Sequence, residues 1–321
     1  MSGVIYREAA GADDAEPLAT VHALRREVDG VIGGLQFEAF PSAENVAQAL
    51  TNSEPRDWVI AESGGKVVAY GHTLYDWAEH DGRHCYLHLG WVAPAARGQG
   101  IGAELLDRLE TRCREKASRD NVLGRADIGA NASGTEHSAR ELLENSGYSV
   151  IYTLVQMERP IRLSVEVSPI PAGYELRAAV PEHHRQIWQM IGDAYFDPSE
   201  SGRGGQVASE EDFRSYFGQE SADPSLWFVA WRGSRVAGVA LCRLAKGIGE
   251  VYEVSVAHPH RRRGVARALL SRGVAELERR QPQAVRILTR KEFPTQAWRL
   301  YESVGFRVIK EFPRWRKEIS R

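Results

Sequence analysis

The sequence predicts an α+β fold in which one domain plan occurs twice in tandem. Its 321 residues suit roughly two domains. Each half contains a hairpin of two short apolar strands with a glycine in the turn, a pattern typical of antiparallel pairing. Each half also contains a strand, a loop rich in arginine and glycine, and an amphipathic helix, in that order. Paired segments in the same order indicate an internal duplication.

The first element of each half is a short alternating strand that leads into a helical stretch. These strands are predicted at Val4–Ala9 and Tyr174–Ala179. A β-hairpin follows in each half. Its strands are predicted at Trp58–Ala61 and Val67–Gly71 in the first half, and at Trp227–Ala230 and Val236–Val239 in the second.

The next elements are a strand, a glycine-containing loop and a helix. The strand His84–Val92 leads into the loop Arg97–Gly102, and the strand Glu250–Val256 leads into the loop Arg261–Ala266. Glycines in such a loop let the backbone turn tightly and approach a ligand closely. The N–H groups of the following helical turn, at the positive end of the helix dipole, then form an anion site suited to a pyrophosphate.

The two halves are separated by a proline-rich stretch. Each half closes with a helix that ends in glycine and an aromatic residue, Gly147-Tyr148 and Gly305-Phe306, which is a helix C-cap signal. Prolines at positions 160, 169 and 171 then mark a linker. We therefore predict an N-terminal domain over 1–159, a linker over 160–172 and a C-terminal domain over 173–321.

Composition excludes several classes of protein. The chain is 43% apolar and 26% charged, ordinary values for a globular protein, and its formal charge of −2 argues against a nucleic-acid-binding protein. The scattered Cys85, Cys113 and Cys242 predict neither a disulfide framework nor a zinc site. No apolar run approaches the roughly 18 residues of a membrane span, and Met1–Glu8 has no targeting pattern. We expect a cytoplasmic protein with no membrane or nucleic-acid partner.

Two other groups of polar side chains could bind ligands. His80, His84 and His88 are spaced by four residues, but four residues of a strand span about 13 Å, too far for one metal ion. The stretch 193–223, between the predicted first helix and first hairpin of the second half, is rich in acidic residues. It could attract a cationic amine, or it could be a solvated surface.

The loop motif Arg97-x-x-Gly100-x-Gly102 is repeated as Arg261-x-x-Gly264-x-Ala266. Together with the segment Leu300–Phe306, this pattern resembles the GNAT superfamily of acyl-CoA-dependent N-acyltransferases. The resemblance covers nearly the whole chain. It implies two GNAT-like domains, each a mixed, mostly antiparallel sheet flanked by helices, with acetyl-CoA as cosubstrate and no metal. Pro259 lies closer to Arg261 than Pro94 does to Arg97, so we expect the second loop to be slightly tighter.

The resemblance also implies which residues hold the cofactor. Main-chain groups of the loop bind the CoA pyrophosphate, the loop arginines add cationic donors, and the preceding strand lies along the pantetheine arm. In the second half the expected cofactor-binding residues are Val254, Val256, Arg261, Arg262, Arg263, Gly264, Val265 and Ala266. In the first half they are Val92, Arg97, Gly98, Gln99, Gly100, Ile101 and Gly102.

Only the second half has side chains suited to proton transfer. N-acylation needs a base for the amine and an acid for the departing thiolate. The positions that often carry a Glu and a Tyr in families of this type are Glu250 and Tyr301, and their counterparts in the first half are Tyr86 and Leu143. Glu253 is an alternative base, expected on the opposite strand face from Glu250 because side chains alternate. We expect the C-terminal domain to be catalytic and the N-terminal domain to be structural or non-productive.

The expected reaction is transfer of an acetyl group to a primary amine of a small molecule. The tandem layout, with Gly249–Tyr252 before the second loop, is also similar to that of mycothiol synthases, which acetylate the cysteinyl amine of a sugar-linked thiol precursor. Aminoglycoside-type antibiotics and protein N-termini are alternative acceptors. A non-enzymatic acyl-CoA-binding sensor is the contrasting class of protein.

Overall fold

A computed structural model describes most of the chain, namely residues 3–30, 42–78, 83–120, 126–161, 165–195, 210–218, 222–292 and 295–319. The chain forms two compact units of mixed helices and strands. The first unit comprises Met1–Thr153 and Phe312–Arg321, and the second comprises Leu154–Glu311. The predicted α+β fold with a duplicated plan is confirmed.

The elements alternate in the same way along both halves. Those of the first half are β1 (Ile5–Arg7), α1 (Ala15–Val28), α2 (Ala43–Thr51), β2 (Trp58–Ser63), β3 (Lys66–Ala78), β4 (His84–Val92), α3 (Ile101–Arg119), β5 (Ala126–Asn131), α4 (His137–Asn145) and β6 (Ser149–Arg159). Those of the second half are β7 (Glu175–Ala178), α5 (His184–Tyr195), α6 (Glu210–Phe217), β8 (Trp227–Arg232), β9 (Arg235–Ala245), β10 (Ile248–Val256), α7 (Val265–Arg279), β11 (Ala284–Arg290), α8 (Ala297–Glu302) and β12 (Arg307–Glu318).

Each unit takes one strand from the other half of the sequence. In the first unit the strands follow the order β1-β2-β3-β4-β5-β12, and residues 314–318 of β12 pair antiparallel with β5. In the second unit the order is β6-β11-β10-β9-β8-β7, and residues 154–159 of β6 pair antiparallel with β11. The predicted division at 159 and 173 follows the sequence repeat and stays a prediction, since the packed units exchange these strands.

In both units a parallel pair of strands separates partway along its length. The pairing of β4 with β5 ends at His88 and Ala130, although β4 continues to Val92. The pairing of β10 with β11 ends at Val251 and Ile287, although both strands continue. Each unit therefore has an opening between two strands, next to the loop that follows the first of them.

Close packing fixes the helix that follows the loop against the sheet. In the first unit a Cβ added to Gly71 would lie 2.5 Å from Leu109 Cδ1 of α3 and 2.8 Å from the Leu89 carbonyl oxygen. In the second unit a Cβ on Gly249 would lie 3.3 Å from both methyl groups of Leu277 in α7. These glycines let each helix pack directly on the strands and hold its N-terminus at the opening. In the described ranges, no helix combines the length and the apolar character that crossing a bilayer requires.

Candidate active site

The two loops have the same backbone geometry. Gly98 and Gly100 have φ angles of 74° and 81°, and Arg262 and Gly264 in the same places have 59° and 86°. A single 3-10 turn precedes each loop, at Pro94–Ala96 and His258–His260. The expectation of a tighter second loop is therefore wrong. Pro259 lies one residue later in its 3-10 turn than Pro94 does, but the two turns have the same length. Arg262 adopts a left-handed conformation that costs a non-glycine residue about 1 kcal/mol.

The loop amides are available to a ligand. Helix α3 begins at Ile101 and α7 at Val265, directly after the loops. In the described part of the chain, the N–H groups of residues 98–102 and 262–266 donate to no carbonyl outside the regular helices and strands. Free amides at a helix N-terminus suit a phosphate group. Arg262 and Arg263 are exposed beside these amides.

The first arginine of each motif stabilises the loop through hydrogen bonds to neighbouring elements. Arg97 donates from Nε to the Val92 carbonyl at 3.2 Å, and from both Nη atoms to the Asp29 carboxylate at 2.6 and 2.7 Å. Arg261 donates from Nε to the Val256 carbonyl at 3.1 Å and from Nη2 to the Ala194 carbonyl at 2.5 Å. These bonds tie each loop to the strand before it and to the C-terminal end of the unit's first helix.

A cavity of about 290 Å³ lies at the strand opening of the first unit. Its walls are β4 from His88 to Val92, the loop, the first turns of α3, and residues of α4. Of the cofactor-binding residues predicted in this half, those that line it are Val92, Arg97, Gly98, Gly100 and Gly102. Ile101 is instead buried in the core and Gln99 is exposed.

Among the described residues, two that line the cavity have a buried polar atom without a hydrogen-bond partner. His88 is 3% exposed, its Nε2 lies 2.9 Å from the Tyr148 hydroxyl, and its buried Nδ1 is unpaired, as is Oδ1 of Asn131. Burial lowers the pKa of His88 to about 4, so the ring is neutral at pH 7. From the sequence, His88 is rejected as a metal ligand but is not placed at the cavity, because the spacing of histidines does not show which one lines an opening.

At the positions that carry Glu250 and Tyr301 in the second unit, the first unit has Tyr86 and Leu143. The Tyr86 hydroxyl donates to Asp120 at 3.2 Å and Tyr86 does not line the cavity. Leu143 does line it. The amide of Tyr148 donates to the Leu143 carbonyl just as the amide of Phe306 donates to that of Tyr301, so Leu143 and Tyr301 occupy matching positions.

A β-bulge in β10 changes the faces predicted for its side chains. Val251 pairs with Cys242 and Glu253 pairs with Leu241, so Tyr252 is an extra residue without its own partner on β9. Glu250 and Glu253, the two candidate bases, therefore lie on the same face of the strand rather than on opposite faces. The expectation from simple alternation is wrong because the extra residue shifts the period by one.

Glu250 is engaged in an ion pair. Its Oε2 accepts a hydrogen bond from Nε of Arg243 on β9 at 2.7 Å, and Nη2 of the same guanidinium lies 2.6 Å away. The Arg243 guanidinium also lies 5.3 Å from the centre of the Tyr252 ring. The Glu250 side chain is about a third exposed.

Glu253 is 7% exposed and is surrounded by hydroxyl groups. Its carboxylate accepts from Ser255 Oγ at 2.6 Å, from the Tyr195 hydroxyl at 3.3 Å and from the Tyr216 hydroxyl at 3.3 Å. Burial raises the pKa of Glu253, and these hydrogen bonds only partly oppose the effect. Sequence reasoning could not find Tyr195 and Tyr216, because α5 and α6 are distant from β10 in the chain.

Tyr301 is close enough to this carboxylate to interact with its charge. It is 5% exposed and lies on α8, the helix that follows β11 in the chain. Burial and the charge of Glu253 raise the pKa of Tyr301, so the phenol is protonated at neutral pH. Tyr195 interacts electrostatically with both Glu253 and Tyr301.

The predicted strand contacts for the pantetheine arm lie at the same opening. Val254 and Val256 pair with Ala240 and Gly238 of β9, and Val256 packs in a cluster with Val265. Where the structure describes it, β10 has no pairing with β11 beyond Val251. The β11 side of β10 is therefore open along these residues.

Comparison with known proteins agrees with this geometry. The profile of the acetyltransferase (GNAT) family matches residues 26–130 and 185–306, which together make up most of the chain. The chain belongs to the GNAT family of acetyltransferases. This GNAT protein is therefore an enzyme with two family regions, as the repeated motif predicted.

The relatives of this GNAT protein include tandem members. It is 27% identical to a mycothiol acetyltransferase of Geodermatophilus obscurus over 94% of this chain and 88% of the relative, and 28% identical to one of Streptomyces bingchenggensis over 82% and 79%. A GCN5-related N-acetyltransferase of Sphaerobacter thermophilus has the same fold, with a TM-score of 0.76, 24% identity, and coverage of 99% and 96%. A tandem GNAT protein from the clavulanic acid pathway gives 0.65 at 16% identity, with 99% of each chain covered.

Two acidic residues in the described part of the acidic stretch of this GNAT protein form ion pairs with arginines. Glu210 lies within ion-pair distance of Arg185 and Arg214, and Asp223 pairs with Arg280. Asp197, Glu200 and Glu220 lie outside the described residues, as does His80. Over the described ranges, no group of three or more His, Cys, Asp or Glu side chains is placed to hold a metal ion.

Proposed function

We propose that this protein transfers an acetyl group from acetyl-CoA to a primary amine of a small molecule, and that its second unit catalyses the reaction. The observation that carries the proposal is the buried Tyr301, whose phenol interacts electrostatically with the carboxylate of Glu253, a residue of β10 beyond its last pair with β11. The matching position in the first unit is Leu143, which cannot donate a proton.

The proposed reaction is direct attack of the amine on the thioester. A carboxylate of β10 takes a proton from the amine, a C–N bond forms at the acetyl carbonyl, and the C–S bond breaks. Tyr301 donates its proton to the departing CoA sulfur. The sequence favours Glu250 as the base with Glu253 as the alternative, and both lie on the same strand face.

Both units have a main-chain site for the CoA diphosphate. The amides of residues 262–266 would hold it in the second unit, with Val254 and Val256 along the pantetheine arm and the exposed Arg262 and Arg263 nearby. The amides of residues 98–102 would hold it in the first unit, where the cavity of about 290 Å³ would take the arm. We propose that the first unit binds acetyl-CoA without turning it over.

The proposed acceptor follows from the relatives. Two of them are mycothiol acetyltransferases that align over most of this chain, although at only 27% and 28% identity. A cysteinyl amine linked to an amino sugar is therefore the first candidate to assay. An aminoglycoside antibiotic and an N-terminal peptide amine complete a panel that covers the alternative acceptor classes.

Replacement of the proposed acid tests the function. In Tyr301→Phe we expect kcat for CoA release to fall by about 100-fold or more, since a general acid contributes that much. The Kd for acetyl-CoA should be unchanged, because the aromatic ring is kept. Tyr86→Phe is the control, since it removes a buried hydroxyl from the first unit and should keep wild-type turnover. Wild-type turnover in Tyr301→Phe would refute the assignment, and acetyl-CoA binding without turnover of any amine would favour the sensor.

A further inference from the structure

The two candidate bases on β10 have different surroundings. Glu250 lies where β10 is still paired on both sides, opposite Arg243 of β9 and Arg286 of β11. Its Oε2 already accepts a hydrogen bond from Arg243 within an ion pair. Glu253 lies beyond the last β10–β11 pair, in the opening where the thioester is expected.

Among the residues whose placement is described, no arginine or lysine forms an ion pair with Glu253. The titratable groups that interact with it in those ranges are tyrosines from four elements: Tyr195 of α5, Tyr216 of α6, Tyr301 of α8 and Tyr252 of its own strand. A buried carboxylate with only hydroxyl donors is a stronger base than one held by guanidinium. When ionised, such a carboxylate can also form an ion pair with the ammonium group of an incoming acceptor.

The first unit gives an independent comparison. Leu89 precedes Arg97 by as many residues as Glu253 precedes Arg261, and the strand openings begin close to both positions. Leu89 and Leu143 both line the first cavity. Leucines thus stand together in the first unit at the positions of Glu253 and Tyr301. Tyr86, the counterpart of Glu250 by count, lies outside that cavity.

We propose that Glu253 is the base that deprotonates the acceptor amine, and that hydrogen bonds from Tyr195 and Tyr216 set the pKa of Glu253. This inference rests on the acetyl transfer proposed above. Glu253 takes one proton from the ammonium group and later releases it to solvent. The amine nitrogen forms the C–N bond as the C–S bond breaks. Tyr301 gives its proton to the sulfur and regains one from the nitrogen, so the products are the amide, CoA and one proton.

Isosteric variants of the two carboxylates test the assignment in the full-length chain. The acceptor is the amine of the panel that gives the fastest wild-type CoA release. We expect Glu253→Gln to lower kcat by about 100-fold or more, with the acetyl-CoA Kd and the unfolding temperature retained. Glu250→Gln should lose no more than about fivefold, as expected for loss of a partly exposed ion pair. Glu158→Gln is the control, because it breaks a similarly exposed ion pair with Arg286 in the same unit.

The tyrosine variants test the proposed effect on the pKa of Glu253 through the pH dependence of kcat/KM. A purely structural role of the tyrosines would not change this pH dependence. Tyr216→Phe and Tyr195→Phe each remove a hydrogen bond to the charged carboxylate, so the pKa of Glu253 should rise. The acid limb of kcat/KM should then move to higher pH by up to about 1 unit in each variant. This shift can be measured even if Glu253→Gln fails to fold.

Three results would overturn the inference. Loss of turnover in Glu250→Gln with an active Glu253→Gln would reject Glu253 as the base and leave the proposed acetyl transfer standing. Acid limbs that stay in place in both tyrosine variants would reject their tuning role. Absence of wild-type CoA release with every amine would reject the proposed function and this assignment together.

Discussion

Gly102 offers a way to separate cofactor binding in the first unit from turnover in the second. It lies in the first turn of α3 and lines the cavity of about 290 Å³. A Cβ on this residue would lie 3.4 Å from Leu142 Cδ2 and 3.6 Å from Val92 Cγ2, which are ordinary contacts. Alanine therefore fits, as Ala266 does in the second motif. A leucine side chain would extend further, into the space proposed for the pantetheine arm.

We expect Gly102→Leu to reduce the acetyl-CoA bound per chain from two molecules to one, while kcat stays within about twofold because the second unit is untouched. Gly102→Ala should keep both sites and gain up to about 1 kcal/mol of stability from helix propensity. For a unit of this size, that gain raises the unfolding temperature by about 2–4 °C. Isothermal titration calorimetry counts the sites, and thermal unfolding checks the control.

The outcome of this experiment can contradict either half of the reasoning. Loss of turnover in Gly102→Leu, with one acetyl-CoA still bound, would show that the first unit contributes to catalysis. A wild-type stoichiometry of one that Gly102→Leu leaves unchanged would show that the first cavity is not an acetyl-CoA site.

Two further predictions concern stability of the first unit. Burial lowers the pKa of His88 to about 4 from its ordinary value of 6.5. Its contribution to stability is therefore complete above pH 6.5 and is lost as the pH falls from about 6.5 to about 4; between pH 7 and pH 5 the loss is about 2 kcal/mol. Urea unfolding of His88→Gln should show a correspondingly smaller loss, and an equal loss would contradict the burial argument. Arg97→Met should cost about 2–4 kcal/mol in urea unfolding because it leaves Asp29, which is 8% exposed, without its bidentate partner; adding Asp29→Asn should recover part of that loss, and a double variant no more stable than Arg97→Met would argue against an ion-pair effect.

The parts of the site that depend on local sequence could be predicted. The loop motif identified both helix N-termini, and the helix ending in Gly-Phe identified Tyr301, because turns and caps are encoded by neighbouring residues. The bulge at Tyr252 could not be predicted, since it depends on the register between β10 and β9. The exchange of β6 and β12 between units also depends on long-range pairing, because each strand has the same local pattern in either position.

In this duplicated fold, the proposed binding of the CoA diphosphate and the proposed proton transfer depend on different features. Diphosphate binding depends on main-chain geometry, which is the same in both units although Arg262 occupies the place of Gly98. The hydrogen bond that ties each loop to the preceding strand is also the same, since Nε of Arg97 and of Arg261 donates to the carbonyl oxygen of the last strand residue. Proton transfer depends instead on individual side chains at the strand opening, and these differ. A duplicated unit can therefore differ in its proton-transfer side chains while it keeps the loop geometry proposed to bind the diphosphate. For this reason we expect the second unit alone to turn acetyl-CoA over and the first only to bind it.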